Sequence, residues 1–440
     1  MTGSPAERGR GPGRVLAPGS VPRIPRGAIF AILSLALAAR LAAIAHFGFT
    51  TLRFGDARAY LFAAEHIVRT GGYPRATEPF YFRAPGYPVF LAAVTLGRPD
   101  RVGLGKVANA SLGALASLLL AALSARLFRD RFAAVATGLT AALHPGLISL
   151  STDIQSEPLF LLLLLCSGYF LLAAADRPSS NLAVGSGILL AVAALTRPSA
   201  LCLTPLLAAP FLDRRYPLRA RAHLAASGLF GCALALAPWT LRNAFVFHEL
   251  VPVNDAAGSA FYQGNSDAMV RFYGLANREQ YDRWITDTFA DLERRDREAT
   301  EQAAGSPAAK SRYLFRAAIA QRSADPAGWA RLAARKAWDW ARPYPSPLFW
   351  PSAVLWGIGT LELLLTLLAA VGLATAQRKG VEAFAVTYLL VTMASHVALI
   401  VVWRYRLAYW DPVLVLYAIP GAQWLTRRVG GREERTAPSR

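Results

Sequence analysis

Apolar runs of about twenty residues recur along this chain, and that is the length a helix needs to cross the roughly 30 Å hydrocarbon core of a bilayer. They fall near residues 27–47, 104–125, 132–150, 157–175, 222–241, 350–375, 382–403 and 407–425. Backbone in lipid must satisfy its own hydrogen bonds, so the expected fold is an all-α polytopic membrane protein. Residues 181–212 are the difficult stretch, because Thr196, Arg197 and Pro198 interrupt an otherwise apolar run. One long helix would bury Arg197 near the bilayer centre at a cost of roughly 2.5–3.5 kcal/mol or more. Two short helices meeting there avoid that cost, and the chain then makes about ten transmembrane crossings with both ends inside.

Charge sets the orientation. The short connections assigned to the cytoplasm hold Arg126, Arg129 and Arg131, then Arg177, then Arg214, Arg215, Arg219 and Arg221, then Arg378 and Lys379, and finally Arg427 and Arg428. Those on the other side hold only Arg197, Arg404 and Arg406, as the positive-inside rule requires. The net charge of +19 is therefore read as loops on one membrane face. With no long basic tract or nucleic-acid motif, a nucleic-acid partner is excluded. The 54% hydrophobic and 17% charged composition agrees with a chain solvated largely by membrane lipids.

Residues 1–26 are rich in Gly, Pro, Ser and Arg, cannot bury a core, and read as a disordered cytoplasmic tail. Residues 27–242 form an N-terminal membrane module whose first outer loop is 48–103. An extracytoplasmic domain follows at 243–349, then C-terminal membrane helices at 350–426 and a second cytoplasmic tail at 427–440. In the domain, RNAFVFHELVPVNDAAGSAFYQGN joins β-branched and aromatic residues to turn formers, a strand signal, while 278–301 and 308–323 read as charged helices. It is expected to be small, α/β or mostly α, and packed as a lid on the membrane part.

The chemistry centres on the polar loop from Phe54 to Pro88. Asp56 opens an amphipathic segment with Tyr60, Leu61, Ala64, Ile67 and Val68 at helical spacing, so it reads either as a helix cap or as a reactive carboxylate. Counting crossings puts Asp56, Glu65, Arg83, Asp153, Glu157, Arg197, Arg242, Asn243, Arg404 and Arg406 on one face. Asp153 and Glu157 are four apart and would share a side of a helical turn. Glu157 reads equally as a cap or as a functional carboxylate, and Asp153 rather as structural or metal-adjacent. Arg197 and Arg242 stand close to prolines at a membrane boundary, either as snorkelling anchors or as a clamp on phosphate oxygens. Arg83, Pro85, Gly86, Tyr87 and Pro88 make a stiff turn that either positions a sugar or phosphate or anchors the loop through Tyr81 and Tyr87.

The six histidines form no HxxxH or HExxH pair, and the three cysteines, Cys166, Cys202 and Cys232, lie inside apolar runs. No metal site or disulfide framework is indicated, although an oxygen-ligated divalent cation between carboxylates stays open. Walker, GxGxxG and GxSxG signatures are missing, so no cofactor is expected.

FGDARAY, RAPGYPVFL, SEPLF, TRPSAL, PWTLRN with PVN and GN, and WRYRLAYWDP, in this order between hydrophobic spans, resemble the GT-C membrane glycosyltransferases. The branch they look most like is the bacterial one that includes dolichyl-phosphate-mannose protein mannosyltransferases and lipid A aminoarabinose transferases. The resemblance implies an inverting transfer from a polyprenyl-phosphate-linked sugar to an acceptor at the outer face of a bacterial inner membrane, with Asp56 as base. Asp153 and Glu157 would support it, and Arg83, Tyr87, Arg197, Arg242, Asn243, Asn265, Arg404 and Arg406 would bind substrate. Many protein mannosyltransferases carry an adjacent Asp-Glu pair where this chain has Asp56 and Ala57, which speaks against protein O-mannosylation. The alternative class is a transporter or flippase of a lipid-linked saccharide, which should place ionisable groups near the midplane and show paired repeats. Only the break at Arg197 fits that pattern.

Overall fold

The computed structural model describes residues 21–75, 83–212, 215–275, 277–303, 306–346, 350–376 and 379–436, so most of the expected N-terminal tail, Tyr81, Arg214 and Arg378 lie outside the described residues. The first half comprises α1 (Arg26–Phe47), α2 (Asp56–Thr70), α3 (Gly86–Thr95), α4 (Val102–Phe128), α5 (Arg131–Leu143), α6 (Pro145–Ser149), α7 (Glu157–Asp176) and α8 (Ser180–Thr196). A tight 3-10 segment, Pro198–Leu212, leads to α9 (Leu218–Phe247). Five helices without apolar length follow: α10 (Ala256–Asn265), α11 (Asp267–Phe272), α12 (Arg278–Ala303), α13 (Pro307–Ser323) and α14 (Pro326–Ala341). The chain closes with α15 (Ser352–Thr375), α16 (Lys379–Ala398), α17 (Trp403–Tyr409) and α18 (Asp411–Thr436), the last continuing into the expected C-terminal tail as far as Thr436.

Among the described residues, six helices are long and apolar enough to cross a membrane: α1, α4, α7, α9, α15 and α16 from Gly380 onward. Four more apolar elements are shorter, among them α3, α5 and α8, so the protein is multi-pass but the count of ten is not what length and composition alone give. The run expected to cross at 132–150 is instead split at His144 and Pro145, because proline disfavours helical geometry in the residue before it. The same effect ends α8 at Thr196: Arg197 is extended (φ −141°, ψ 111°) and precedes Pro198. Two elements rather than one long helix fill residues 181–212.

Helices α8 and α9 pack along each other through small residues. A Cβ on Gly187 would fall 1.9 Å from the carbonyl of Gly228, and one on Gly231 2.2 Å from that of Val184, so these backbones meet as closely as glycine allows.

The segment from α10 to α14 is helical, and no strand occurs among the described residues. The strand signal after Arg242 is overturned, since α9 runs on through Phe247 and past the boundary expected at 242. Val251 and Val253 are buried as irregular chain, their carbonyls taken by Asn243 (2.9 and 3.1 Å) and Trp239 Nε1 (2.7 Å to Val253). Side chains thus satisfy backbone that has no neighbouring strand to pair with. The segment is packed on the membrane helices. Lys336 of α14 donates to the carbonyls of Gly264 and Leu399, and Trp340 stacks on His396 of α16 with centroids 4.4 Å apart.

Candidate functional site

The loop between α1 and α2 is fixed before any reactive group is placed. Lys106 Nζ holds the carbonyls of Gly48 (2.9 Å) and Thr51 (2.5 Å). Asp153, fully buried, accepts the amides of Arg53 (2.7 Å) and Phe54 (2.9 Å) on one oxygen and that of Ile154 (2.8 Å) on the other. Its carboxylate is therefore occupied by backbone, and its effect is to anchor the chain immediately ahead of α2.

Asp56 stands at the first position of α2, with Gly55 as the N-cap, and its carboxylate caps no backbone amide. Instead Oδ1 pairs with Arg83 at 2.7 Å and Oδ2 with Arg404. Glu157, at the start of α7 and almost wholly buried, presents Oε1 to Arg197 at 2.9 Å and to Arg404 at 3.4 Å. The groups form one alternating chain, Arg83–Asp56–Arg404–Glu157–Arg197. Among the described residues three guanidiniums face two carboxylates, an excess of one positive charge.

Each arginine is delivered by a different device. Arg197 follows the proline-forced end of α8, and Nε of its guanidinium is buried without a hydrogen-bond acceptor. Arg404 sits on α17, whose neighbour Arg406 roots the helix in the interior. Arg83 precedes α3, whose first residue Gly86 has only glycine's freedom to approach α8, since a Cβ there would meet Thr196 Oγ1 at 2.6 Å. That contact brings the ends of α3 and α8, and so Arg83 and Arg197, to one place.

Aromatic faces line the chain of charges. Arg197 lies 4.5 Å and Arg404 5.4 Å from the Tyr405 ring centroid, Arg404 also 5.3 Å from Phe54, and Arg83 5.3 Å from Tyr60. Such faces attract guanidinium and separate like charges. Ser156 Oγ accepts from Tyr60 (3.2 Å) and from Arg197 (3.1 Å). From the sequence Tyr60 reads only as part of the amphipathic stripe of α2, and Ser156 and Tyr405 carry no expected role. Tyr60 follows Asp56 at i+4, a spacing that places both on one helix face and could have revealed it.

Burial pushes the Asp56 carboxyl up, but the Arg83 and Arg404 guanidiniums outweigh it and hold the group well below the usual carboxylate range. Asp56 is ionised at neutral pH and keeps 27% of its side-chain surface open.

The other residues expected at the site lie elsewhere. Arg242 reaches the carbonyls of Tyr73 (3.3 Å) and Pro74 (3.4 Å), and Tyr73 in turn donates to the carbonyl of Arg83 (2.8 Å), so it braces the far end of the loop. Glu65 is half-buried further along α2. Tyr87 is fully buried and its hydroxyl accepts from Asn109 (2.9 Å), facing the core and not the charges. Asn243 holds the 251–253 backbone as described above. Asn265 donates to the carbonyl of Ala398 (2.9 Å) and accepts from Lys336 (3.2 Å), joining α10 to α16.

Arg406 belongs to a second, closed cluster. It pairs with Glu362 (3.1 Å) and Asp411 (3.2 Å) and donates to the carbonyl of Arg342 (2.6 Å), while His144 Nε2 lies 3.2 Å from Glu362. His144, Glu362 and Asp411 bring potential ligand atoms within 4.8 Å of one another. Two features set the cluster apart from a metal cage. Arg406 sits among its oxygens, and His144 Nδ1 accepts the Leu147 amide, which leaves Nε2 carrying the proton toward Glu362.

Residues 101–241, less than half of the chain, match the dolichyl-phosphate-mannose-protein mannosyltransferase family. No curated protein matches the sequence. Among solved structures the chain is similar to ArnT from Cupriavidus metallidurans bound to undecaprenyl phosphate, at 16% identity and a TM-score of 0.42, covering 92% of this chain and 79% of that one. The apo state of the same protein gives 16% identity and a TM-score of 0.39 over the same shares.

Proposed function

We propose that the protein is a membrane glycosyltransferase that moves a sugar from a polyprenyl-phosphate donor to an acceptor at the outer face of a bacterial inner membrane. The observation that carries the reading is the alternating charge chain, a carboxylate able to take a proton set among guanidiniums able to hold a phosphate. The family match over residues 101–241 agrees with it.

Asp56 takes the proton of the acceptor hydroxyl as that oxygen forms a bond to the anomeric carbon. The bond from this carbon to the phosphate oxygen breaks, and the electron pair stays on the phosphate. A phosphate is already a good leaving group, so one base and fixed positive charge suffice and no strong acid is needed. Arg83, Arg197 and Arg404 stabilise the departing phosphate by planar, charge-assisted hydrogen bonds. Glu157 holds Arg197 and Arg404 in place, and Asp153 fixes the loop that carries Asp56.

Purified protein in lipid, given radiolabelled polyprenyl-phosphate sugar and a membrane extract as acceptor source, tests the proposal. Label on a new acceptor is the expected result. Label that crosses the bilayer still attached to its lipid supports the transporter instead.

A further inference from the structure

Among the described residues Arg404 is the one cation shared by both carboxylates, Asp56 on one side and Glu157 on the other. Both oxygens of Asp56 are engaged by guanidiniums, and Arg83 holds the second of them. We propose that Arg404 is a transferable counter-ion, passed from Asp56 to the donor phosphate as the sugar moves. This rests on the transferase reading given above.

Charge conservation is the argument. The sugar-linked donor is a phosphodiester with a single negative charge, which the one excess positive charge of the chain matches. During transfer the acceptor proton goes to Asp56, which loses its charge. The bond between the anomeric carbon and the phosphate oxygen breaks, and the phosphate becomes a monoester with two negative charges. The sum over three guanidiniums, Asp56, Glu157 and the phosphate is zero before and zero after, yet one unit of negative charge has moved from Asp56 to the phosphate. A cation already lying between Asp56 and Glu157 follows that charge by reorienting its guanidinium, with no new ion drawn from water. The arrangement also disfavours early proton transfer, because Asp56 is a poor base for as long as Arg83 and Arg404 stay on it.

Linkage gives a prediction that a fixed clamp does not share. Asp56→Asn reproduces the uncharged state of that residue, the state in which Arg404 is free to hold the monoester. With protein in lipid nanodiscs at about pH 8, where a phosphate monoester is mostly a dianion, affinity is measured for polyprenyl phosphate and for the sugar-linked donor. Asp56→Asn should bind polyprenyl phosphate about a hundredfold more tightly than the wild type and the donor less than about threefold more tightly, a gap wider than the factor of about two in binding free energy that the second phosphate charge gives against stationary guanidiniums. Arg404→Gln should lose more affinity for the monoester than for the diester. Asp100→Asn, which removes an exposed carboxylate paired with Arg98 outside this chain of charges, should change neither.

A gain for the monoester in Asp56→Asn no greater than the square of the gain for the donor, or no gain at all, overturns the handover and leaves the transferase reading standing. If Asp56→Asn does not fold, the Arg404→Gln comparison decides alone, and a monoester loss no greater than the square of the donor loss overturns the idea. Failure of the wild type to bind either lipid overturns the transferase reading, and the handover with it.

Discussion

Arg404 and Arg406 lie two residues apart on one short helix, and the two charge clusters they join differ in a way that separates chemistry from architecture. Arg406 is wholly buried among Glu362, Asp411 and the Arg342 carbonyl. Arg404 keeps 18% of its side-chain surface, shares two carboxylates with two other guanidiniums, and belongs to a chain with positive charge left over. The closed cluster has no face for a ligand and links α6, α15, α17 and α18. The open one retains both access and unspent charge. Burial and charge count together, and not the presence of paired ions, distinguish a site from a staple.

The largest expected effect breaks the open cluster at its base. Asp56→Asn should leave a folded, membrane-inserted protein whose transfer rate falls about 100- to 10,000-fold, the usual range for removing a general base. Turnover near the wild-type rate in the radiolabel assay would remove Asp56 from the mechanism.

Next comes the direct contrast between the two arginines. Arg406→Gln should destabilise the detergent-solubilised protein by about 3–5 kcal/mol, because it strands buried carboxylates. Arg404→Gln should cost less stability than Arg406→Gln, because Arg83 still holds Asp56 and Arg197 still holds Glu157, and should instead raise the donor KM. Equal losses of thermal stability in the two variants would erase the distinction drawn here.

A smaller effect is expected for Arg197→Lys, which keeps the charge but loses the planar fork. Donor affinity should drop about tenfold with unchanged stability, as read from KM and a melting curve.

The smallest concerns a third buried cation, Lys336, which has carbonyl and amide oxygens around it and no carboxylate among its hydrogen-bond partners. Burial pushes its ammonium down to about 8 from an ordinary 10.5. Between those values the unfolded chain binds more protons than the folded one, so stability should rise with pH inside that window, by up to about 1.4 kcal/mol for each pH unit crossed. Lys336→Met should flatten that rise, and an unchanged slope would show that the carbonyls compensate the ammonium fully.

Much of this was legible from the residues. Span lengths, the break at Arg197 and the convergence of Asp56, Arg83, Glu157, Arg197 and Arg404 follow from hydrophobic runs and the side on which each loop emerges. That reasoning assigns a side and not a direction around a helix axis. Arg406, Arg242 and Asn243 are therefore grouped with residues they do not meet, and Arg404 cannot be told from Arg406; Tyr87 and Asn265, expected at the site from the resemblance, face other partners. His144, Glu362 and Asp411 are far apart along the chain, and nothing in their spacing announces that they meet. The strand signal near residue 250 failed because β-branched residues record only a tolerance for extended chain, and with no neighbouring strand their carbonyls went to Asn243 and Trp239.

The coil from Pro198 to Leu212 has a geometrical effect on how this chain sits in its solvent. Fifteen residues wound at about 2.0 Å each rise about 30 Å, as much as twenty residues of ordinary helix. A segment short by residue count therefore has the length of the full oily layer, and it leads the chain from Arg197 toward the basic turn around Arg215 as a slender rod.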